Sequence, residues 1–126
     1  MLLNLTDLSD EPLQSQISKQ IRAKILSGEL VAGATLPSIR GLARDQHVSV
    51  ITVQRGYDNL EREGLIHSRR GKGFFVSELD RSSKREMART RLAEQMEPLI
   101  VEAFSEGMTD QDILAVFKTI LEKRHA

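Results

Sequence analysis

Apolar residues recur every four positions near the start of the chain, at Leu13, Ile17, Ile21 and Ile25. That spacing holds one stripe on one side of a helix of about four turns. Asp10-Glu11-Pro12 reads as its start, because proline fits a first helical turn and acidic groups favour the positive end of the helix dipole. Ser27-Gly28 reads as its end, glycine being the usual left-handed cap. A short connector, Leu30 to Leu36, turns at Gly33 and has room for a bridge of strand. Helical spacing then returns. Ile39, Leu42 and Ala43 share a face behind Pro37 and the N-cap candidate Ser38. The pattern breaks at Asp45-Gln46-His47 and resumes after a second N-cap candidate, Ser49, with Val53, Tyr57 and Leu60 on one face. Glu63-Gly64 closes that helix. Two β-prone runs, Leu65 to Arg69 and Phe74 to Ser77, flank the turn Arg70-Gly71-Lys72-Gly73 and read as a hairpin.

The flanks are less regular. Residues 1 to 10 read as a loose leader. Glu78 to Ser83 is short and polar, a boundary. From Lys84 to Glu106 a long helical stretch carries Met87, Leu92, Met96, Leu99, Ile100, Ala103 and Phe104 as apolar positions. Pro98 inside it should kink or split it. Gly107 ends it, and Thr109, with Asp110 and Asp112, starts another helix whose apolar face is Ile113, Leu114, Phe117, Ile120 and Leu121. Two helices alone leave their apolar faces in water, so they must pack on the first domain, on a second copy, or on both. Leu92, Leu99, Phe104, Phe117 and Leu121 are the candidate residues of a two-fold interface.

The order of elements predicts an α+β chain. Residues 1–79 form a winged helix-turn-helix domain of three helices and a β-hairpin wing, with the helix-turn-helix at about 38–63 and the wing at about 65–77. Residues 80–126 form a two-helix dimerisation region.

Composition narrows the chemistry. The 126 residues are 40% hydrophobic and 29% charged, a folded composition. The 18 basic and 18 acidic residues cancel, so only their distribution is informative. From Leu36 to Val76 there are seven basic residues (Arg40, Arg44, Arg55, Arg62, Arg69, Arg70, Lys72) against four acidic (Asp45, Asp58, Glu61, Glu63), a local net of +3 that leaves −3 elsewhere. A basic region on a neutral chain fits phosphate contact by that region alone. The absence of cysteine excludes disulfides and cysteine-based zinc sites. The first residues lack the basic and apolar regions of a secretory signal, and no run approaches membrane-spanning length, so a cytoplasmic protein is expected. His47, His67 and His125 lack metal-ligand spacing on a helix. No nucleophile elbow, phosphate-binding glycine loop after a strand or paired carboxylates point to an enzyme, and no cofactor or metal is expected.

A helix-turn-helix places its second helix in the DNA major groove. That helix begins here with Ser49, Val50, Ile51 and Thr52 and carries Gln54 and Arg55. Hydroxyls, an amide and a guanidinium are groups that meet phosphates and base edges. Ser38, Ser49 and Thr52 also suit helix starts, and both roles hold together because a capped N-terminus is itself a phosphate site. Arg40 in the first helix, and Arg70, Gly71 and Lys72 at the wing tip, complete the candidate interface, with Arg69 beside them. Arg44 and Arg62 suit solvation or ion pairing, Tyr57 suits the core, and Met87, Met96 and Met108 suit helix packing.

From Pro12 to Val76 the chain resembles the DNA-binding domain of the GntR family of bacterial transcription regulators. The resemblance is carried by Pro12-Leu13 with Gln16-Ile17, Ile21-Arg22 with Ile25, Gly28-Glu29-Leu30 and Gly33. It continues through Leu36-Pro37-Ser38 with Arg40, Leu42-Ala43, Val48-Ser49, Thr52-Val53, Tyr57 and Leu60. It closes on Glu63-Gly64-Leu65-Ile66 and Gly71-Lys72-Gly73 with Phe75-Val76. The resemblance implies a homodimer bound to a palindromic operator in double-stranded DNA and usually answering to a small-molecule effector. The short tail resembles the YtrA-type subfamily, which implies a repressor. One position departs from the family: arginine commonly follows the Val-Ser pair, and this chain has Val50, then Ile51. Gln54 and Arg55 then carry more of the base reading, and Val50 or Ile51 is placed for a thymine methyl. The alternative expectation is an architectural protein that binds nucleic acid without sequence preference.

Overall fold

The computed structural model of the chain describes residues 1–125. Five helices and one hairpin follow in order: α1 (Leu13–Leu26), α2 (Ile39–Gln46), α3 (Val50–Arg62), β1 (Ile66–Arg69), β2 (Gly73–Val76), α4 (Arg81–Ser105) and α5 (Asp110–His125). They fall into two compact units, one from Met1 to Lys84 and a second beginning at Arg85.

The first unit is built around the stripes predicted from spacing. Ile17, Ile21 and Ile25 of α1, Leu42 and Ala43 of α2, and Val53, Tyr57 and Leu60 of α3 are buried together with Leu65, Ile66 and Val76. α1 and α3 approach closely at Gly56, where a methyl group would lie 2.9 Å from Ile17 Cγ2. Arg22 and Glu63 tie the same two elements through a two-pronged ion pair, with Arg22 Nε donating to Glu63 Oε2 at 2.8 Å. The Tyr57 hydroxyl donates to the Pro37 carbonyl at 2.7 Å, and its ring meets Phe74 edge-on at 5.0 Å, which links α3 to the entrance of α2 and to the wing. Burial pushes the Tyr57 hydroxyl pKa well above its ordinary value, so it stays protonated as a donor.

β1 and β2 pair antiparallel, Ile66 opposite Val76 and Arg69 opposite Gly73. The predicted bridge exists: Thr35 pairs with Phe75. Gly33 N–H donates to the Val76 carbonyl at 2.8 Å and Leu36 N–H to the Phe74 carbonyl at 2.9 Å, so the connector anchors the wing from its outer edge.

Three expectations change, and a fourth is narrowed. The N-terminal segment is not a loose leader over its first residues: Leu3 is buried, and Asn4 and Thr6 are bound by glutamine side chains of α1. Pro12 sits at the N-cap of α1, one step before the first turn, and that turn holds no acidic residue. Gly73 belongs to β2, where it stands opposite Arg69, so the turn is confined to Arg70, Gly71 and Lys72. Of the two outcomes expected at Pro98, a kink or a split, the split does not occur: α4 is one helix from Arg81 to Ser105. Proline lacks the N–H for one hydrogen bond of this 25-residue helix, and the helix continues on both sides of it.

In the second unit, α5 is started by a reciprocal cap. Asp112 N–H donates to Thr109 Oγ1 at 3.2 Å and Thr109 N–H donates to Asp112 Oδ2 at 3.0 Å. The Thr109 N–H bond first, and the Thr109 hydroxyl second, hold the Asp112 carboxyl below its ordinary pKa. Ile113 is buried, whereas Leu92, Leu99, Val101 and Phe104 of α4 and Leu114, Ile120 and Leu121 of α5 are exposed. No helix among the described residues is long and apolar enough to cross a membrane.

Candidate nucleic-acid interface

The turn between α2 and α3 sets how the second helix is presented. His47 takes a left-handed conformation with φ 56°, a strained choice for a residue with a Cβ, and Val48 N–H returns to the Ala43 carbonyl at 3.0 Å. The chain thereby reverses within two residues and delivers Ser49 as the N-cap of α3. Ser49 Oγ accepts from Thr52 N–H at 3.0 Å and lies 2.8 Å from Thr52 Oγ1. Ser38 caps α2 in the same way, accepting from Gly41 N–H at 3.0 Å. The capping roles expected of Ser38 and Ser49 are therefore present.

The exposed side of α3 carries Val50, Ile51, Gln54 and Arg55, with Thr52 half-buried. Val50 and Ile51 are 46% and 62% exposed, two β-branched apolar side chains in water at the helix start. Farther along the same side come Asp58 and Glu61, both acidic. With Arg62 beside these two carboxylates, the second half of α3 carries a net negative charge and the first half a net positive one from Arg55. Glu61 accepts from Ser68 Oγ at 3.3 Å and so is joined to the wing.

The wing has one occupied cation and two free ones. The Arg69 guanidinium lies 4.7 Å above the Phe75 ring, and His67 stacks on the same ring at 6.1 Å while its Nδ1 meets Ser77 Oγ at 2.9 Å. Arg70 and Lys72 flank Gly71 at the tip, where φ of 75° suits glycine. Among the described residues, Arg70, Lys72, Arg40 and Arg55 are exposed and make no ion pair or hydrogen bond, whereas Arg44 lies 3.6 Å from Asp45. The sequence candidates thus divide between the starts of α2 and α3 and the wing tip. What the spacing did not reveal is the hydrogen bond from Gln54 Nε2 to Asp58 Oδ1, 3.3 Å long, and the claim of Phe75 on Arg69. The first was available as a Gln–Asp pair four residues apart on a helix; the second needed the strand register. No group of His, Asp and Glu that could hold a metal occurs among the described residues.

The sequence pattern of the bacterial regulatory proteins of the gntR family matches residues 13–76, half the chain. The chain belongs to the GntR family. It is 34% identical over 107 residues to the HTH-type transcriptional repressor YtrA of Bacillus subtilis, a match that covers 85% of this chain and 82% of that one. A match of 107 residues is longer than the winged-helix part alone, and this GntR protein is of the short YtrA type. A GntR family transcriptional regulator from Listeria monocytogenes superimposes with a TM-score of 0.74 at 30% identity, covering 88% of this chain and 96% of that one. The AraR DNA-binding domain, solved in complex with operator ORR3, superimposes with a TM-score of 0.50 at 26% identity, over 60% of this chain and 95% of that one. This GntR protein is a transcriptional regulator with a DNA-binding domain, and its family and relatives are regulators rather than enzymes.

Proposed function

We propose that this GntR protein is a cytoplasmic repressor that binds an inverted-repeat operator as a homodimer, with the first turns of α3 in the major groove and the wing tip on the backbone. The observation that carries the reading is the set of exposed, unengaged cations Arg40, Arg55, Arg70 and Lys72 around a capped helix start whose own side chains are Val50, Ile51 and Gln54. The cations supply phosphate contact, and the helix start supplies base contact. Gln54 pairs with adenine, and Val50 and Ile51 meet thymine methyl groups in place of the arginine–guanine contact common in the family. The exposed apolar residues Leu92, Leu99, Phe104 and Leu121, with half-buried Phe117, supply the two-fold contact. Two copies related by a two-fold axis meet DNA related by the same axis, hence an inverted repeat with half-sites about one helical turn, or a multiple, apart.

Selection of sites from random DNA tests this with wild type, Gln54→Ala and Val50→Arg. The expected result is a palindromic site for wild type, relaxed preference at one symmetric pair of positions for Gln54→Ala, and a new guanine preference for Val50→Arg. Three indistinguishable profiles would remove α3 from base reading. Loss of the selected site to excess nonspecific DNA would point instead to an architectural protein.

A further inference from the structure

Asp58 is an odd residue to find on the side of α3 that carries Val50, Ile51 and Gln54. A carboxylate there repels the phosphates that the neighbouring cations attract. Two arginines stand within helical reach of it, Arg55 three residues before and Arg62 four residues after, and neither pairs with it. Its partner is the Gln54 amide, whose Nε2 donates to Asp58 Oδ1 at 3.3 Å.

We propose that Asp58 is a specificity-determining positioning residue that fixes the orientation of the Gln54 amide and thereby selects adenine over guanine. The proposal rests on the reading of Gln54 as a base-contacting side chain.

The chemistry follows from what each group can offer. A free glutamine amide carries two N–H donors and one carbonyl acceptor, and rotation about its last bond exchanges their positions. It can therefore present two donors to guanine, whose major-groove edge shows only the acceptors N7 and O6, or one donor and one acceptor to adenine, whose edge shows acceptor N7 and donor N6–H. An ionised carboxylate accepts only. Facing Asp58, the amide must turn its nitrogen toward the carboxylate, because its oxygen would be repelled. One N–H is then spent within the helix. What remains for the base is one N–H and the carbonyl oxygen, the complement of adenine. At guanine the same oxygen would face O6, acceptor against acceptor, with neither satisfied. Asp58 touches no base in this scheme; it acts through Gln54.

Binding of full-length protein to duplexes that differ only at the base pair whose preference Gln54→Ala relaxes tests the proposal by fluorescence anisotropy. Wild type, Asp58→Ala, Gln54→Ala and the double variant are each measured on the A·T and G·C versions. Wild type is expected to favour adenine by about tenfold or more, the size of one bidentate contact. Asp58→Ala should bind the adenine site as tightly as wild type or more tightly, since a like charge has been removed, while its adenine-to-guanine ratio falls to about threefold or less. In the Gln54→Ala background, Asp58→Ala should leave the ratio unchanged. That pattern separates orientation from folding, because a merely structural role would weaken both duplexes equally. A ratio unaltered by Asp58→Ala, with Gln54→Ala still relaxing it, overturns the proposal and leaves the reading of Gln54 intact. A wild-type preference for guanine at that pair also overturns it. If Gln54→Ala relaxes no position at all, the reading of Gln54 fails and takes the proposal with it.

Discussion

The side-chain amide of Gln16 closes a ring with the backbone of Thr6: Thr6 N–H donates to Gln16 Oε1 at 2.9 Å, and Gln16 Nε2 donates to the Thr6 carbonyl at 2.9 Å. One turn later Gln20 repeats the arrangement with Asn4, at 2.8 and 2.7 Å. Residues four apart on a helix rise about 6 Å, nearly the advance of two residues in an extended chain, so the two glutamines match alternate residues of the strap. Gln16 also donates to the Glu11 carbonyl at 2.9 Å. Net values of about 0.5–1.5 kcal/mol per hydrogen bond make Gln16→Ala cost about 1–3 kcal/mol of stability, allowing for water at the exposed end. The urea midpoint should fall accordingly. In a chain lacking residues 1–6, the same substitution should cost much less, since the Thr6 bonds are already gone. An equal loss in both chains would show that the strap is not what Gln16 holds.

Gly56 makes a second stability prediction, at the crossing of α1 and α3. A Cβ there would stand 2.9 Å from Ile17 Cγ2, 3.2 Å from Ile17 Cβ and 3.3 Å from the Gln14 carbonyl oxygen. Ile17 is fully buried and β-branched, so its methyl cannot swing aside. Alanine in place of glycine gains up to about 1 kcal/mol of helix propensity, and overpacking costs about 1–3 kcal/mol. The crowding should win, with Gly56→Ala lowering the thermal midpoint. A raised midpoint would mean that α1 and α3 separate without cost.

Much of this was legible in the chain. Stripes such as Ile17-Ile21-Ile25 and Val53-Tyr57-Leu60 follow from burying one face of a helix, and caps such as Ser38 and Ser49 are local chemistry. The candidate interface was legible for the same reason, because it lies at helix starts and at a turn. The strap was not, since Gln16 and Gln20 bind backbone and backbone groups leave no mark in a residue pattern. Nor was the pairing of Arg22 with Glu63, 41 residues apart, or the seating of Arg69 on Phe75, which depends on register across the hairpin. At Pro98 the pattern left a kink and a split both open, and only the split is absent, because one proline inside a 25-residue helix does not end it.

The wing divides its cations, and salt dependence should read the division. Arg70 and Lys72 are unengaged at the tip, and Arg69 is held over Phe75. Each phosphate contact adds about 0.9 to the slope of log affinity against log salt. Arg70→Ala and Lys72→Ala should each reduce that slope by about one and weaken binding to all sequences about equally. Arg69→Ala should change it less. A slope lost with Arg69 alone would mean that the cation leaves the ring on binding DNA.

The last prediction concerns assembly. Leu92, Leu99 and Phe104 of α4 are 59%, 65% and 47% exposed, and Leu121 of α5 is 59% exposed. Fully burying a large apolar side chain contributes about 1.5–3 kcal/mol, so a two-fold contact that covers several of them from both protomers is enough for a stable dimer, even after the cost of association. A charge placed among them must be desolvated when the surfaces meet, and the two-fold axis introduces it twice. Leu99→Glu and Phe104→Glu should therefore convert the protein from dimer to monomer by light scattering. Because both side chains are exposed within the chain, the circular dichroism of each variant should stay close to that of wild type. Affinity for a two-half-site operator should fall by more than a hundredfold, since the second α3 helix no longer arrives with the first, whereas affinity for an isolated half-site should be unchanged. Variants that remain dimeric at micromolar concentration would place the two-fold contact elsewhere on the chain. Variants that become monomeric yet keep full operator affinity would show that the tail does not bring the two recognition helices together.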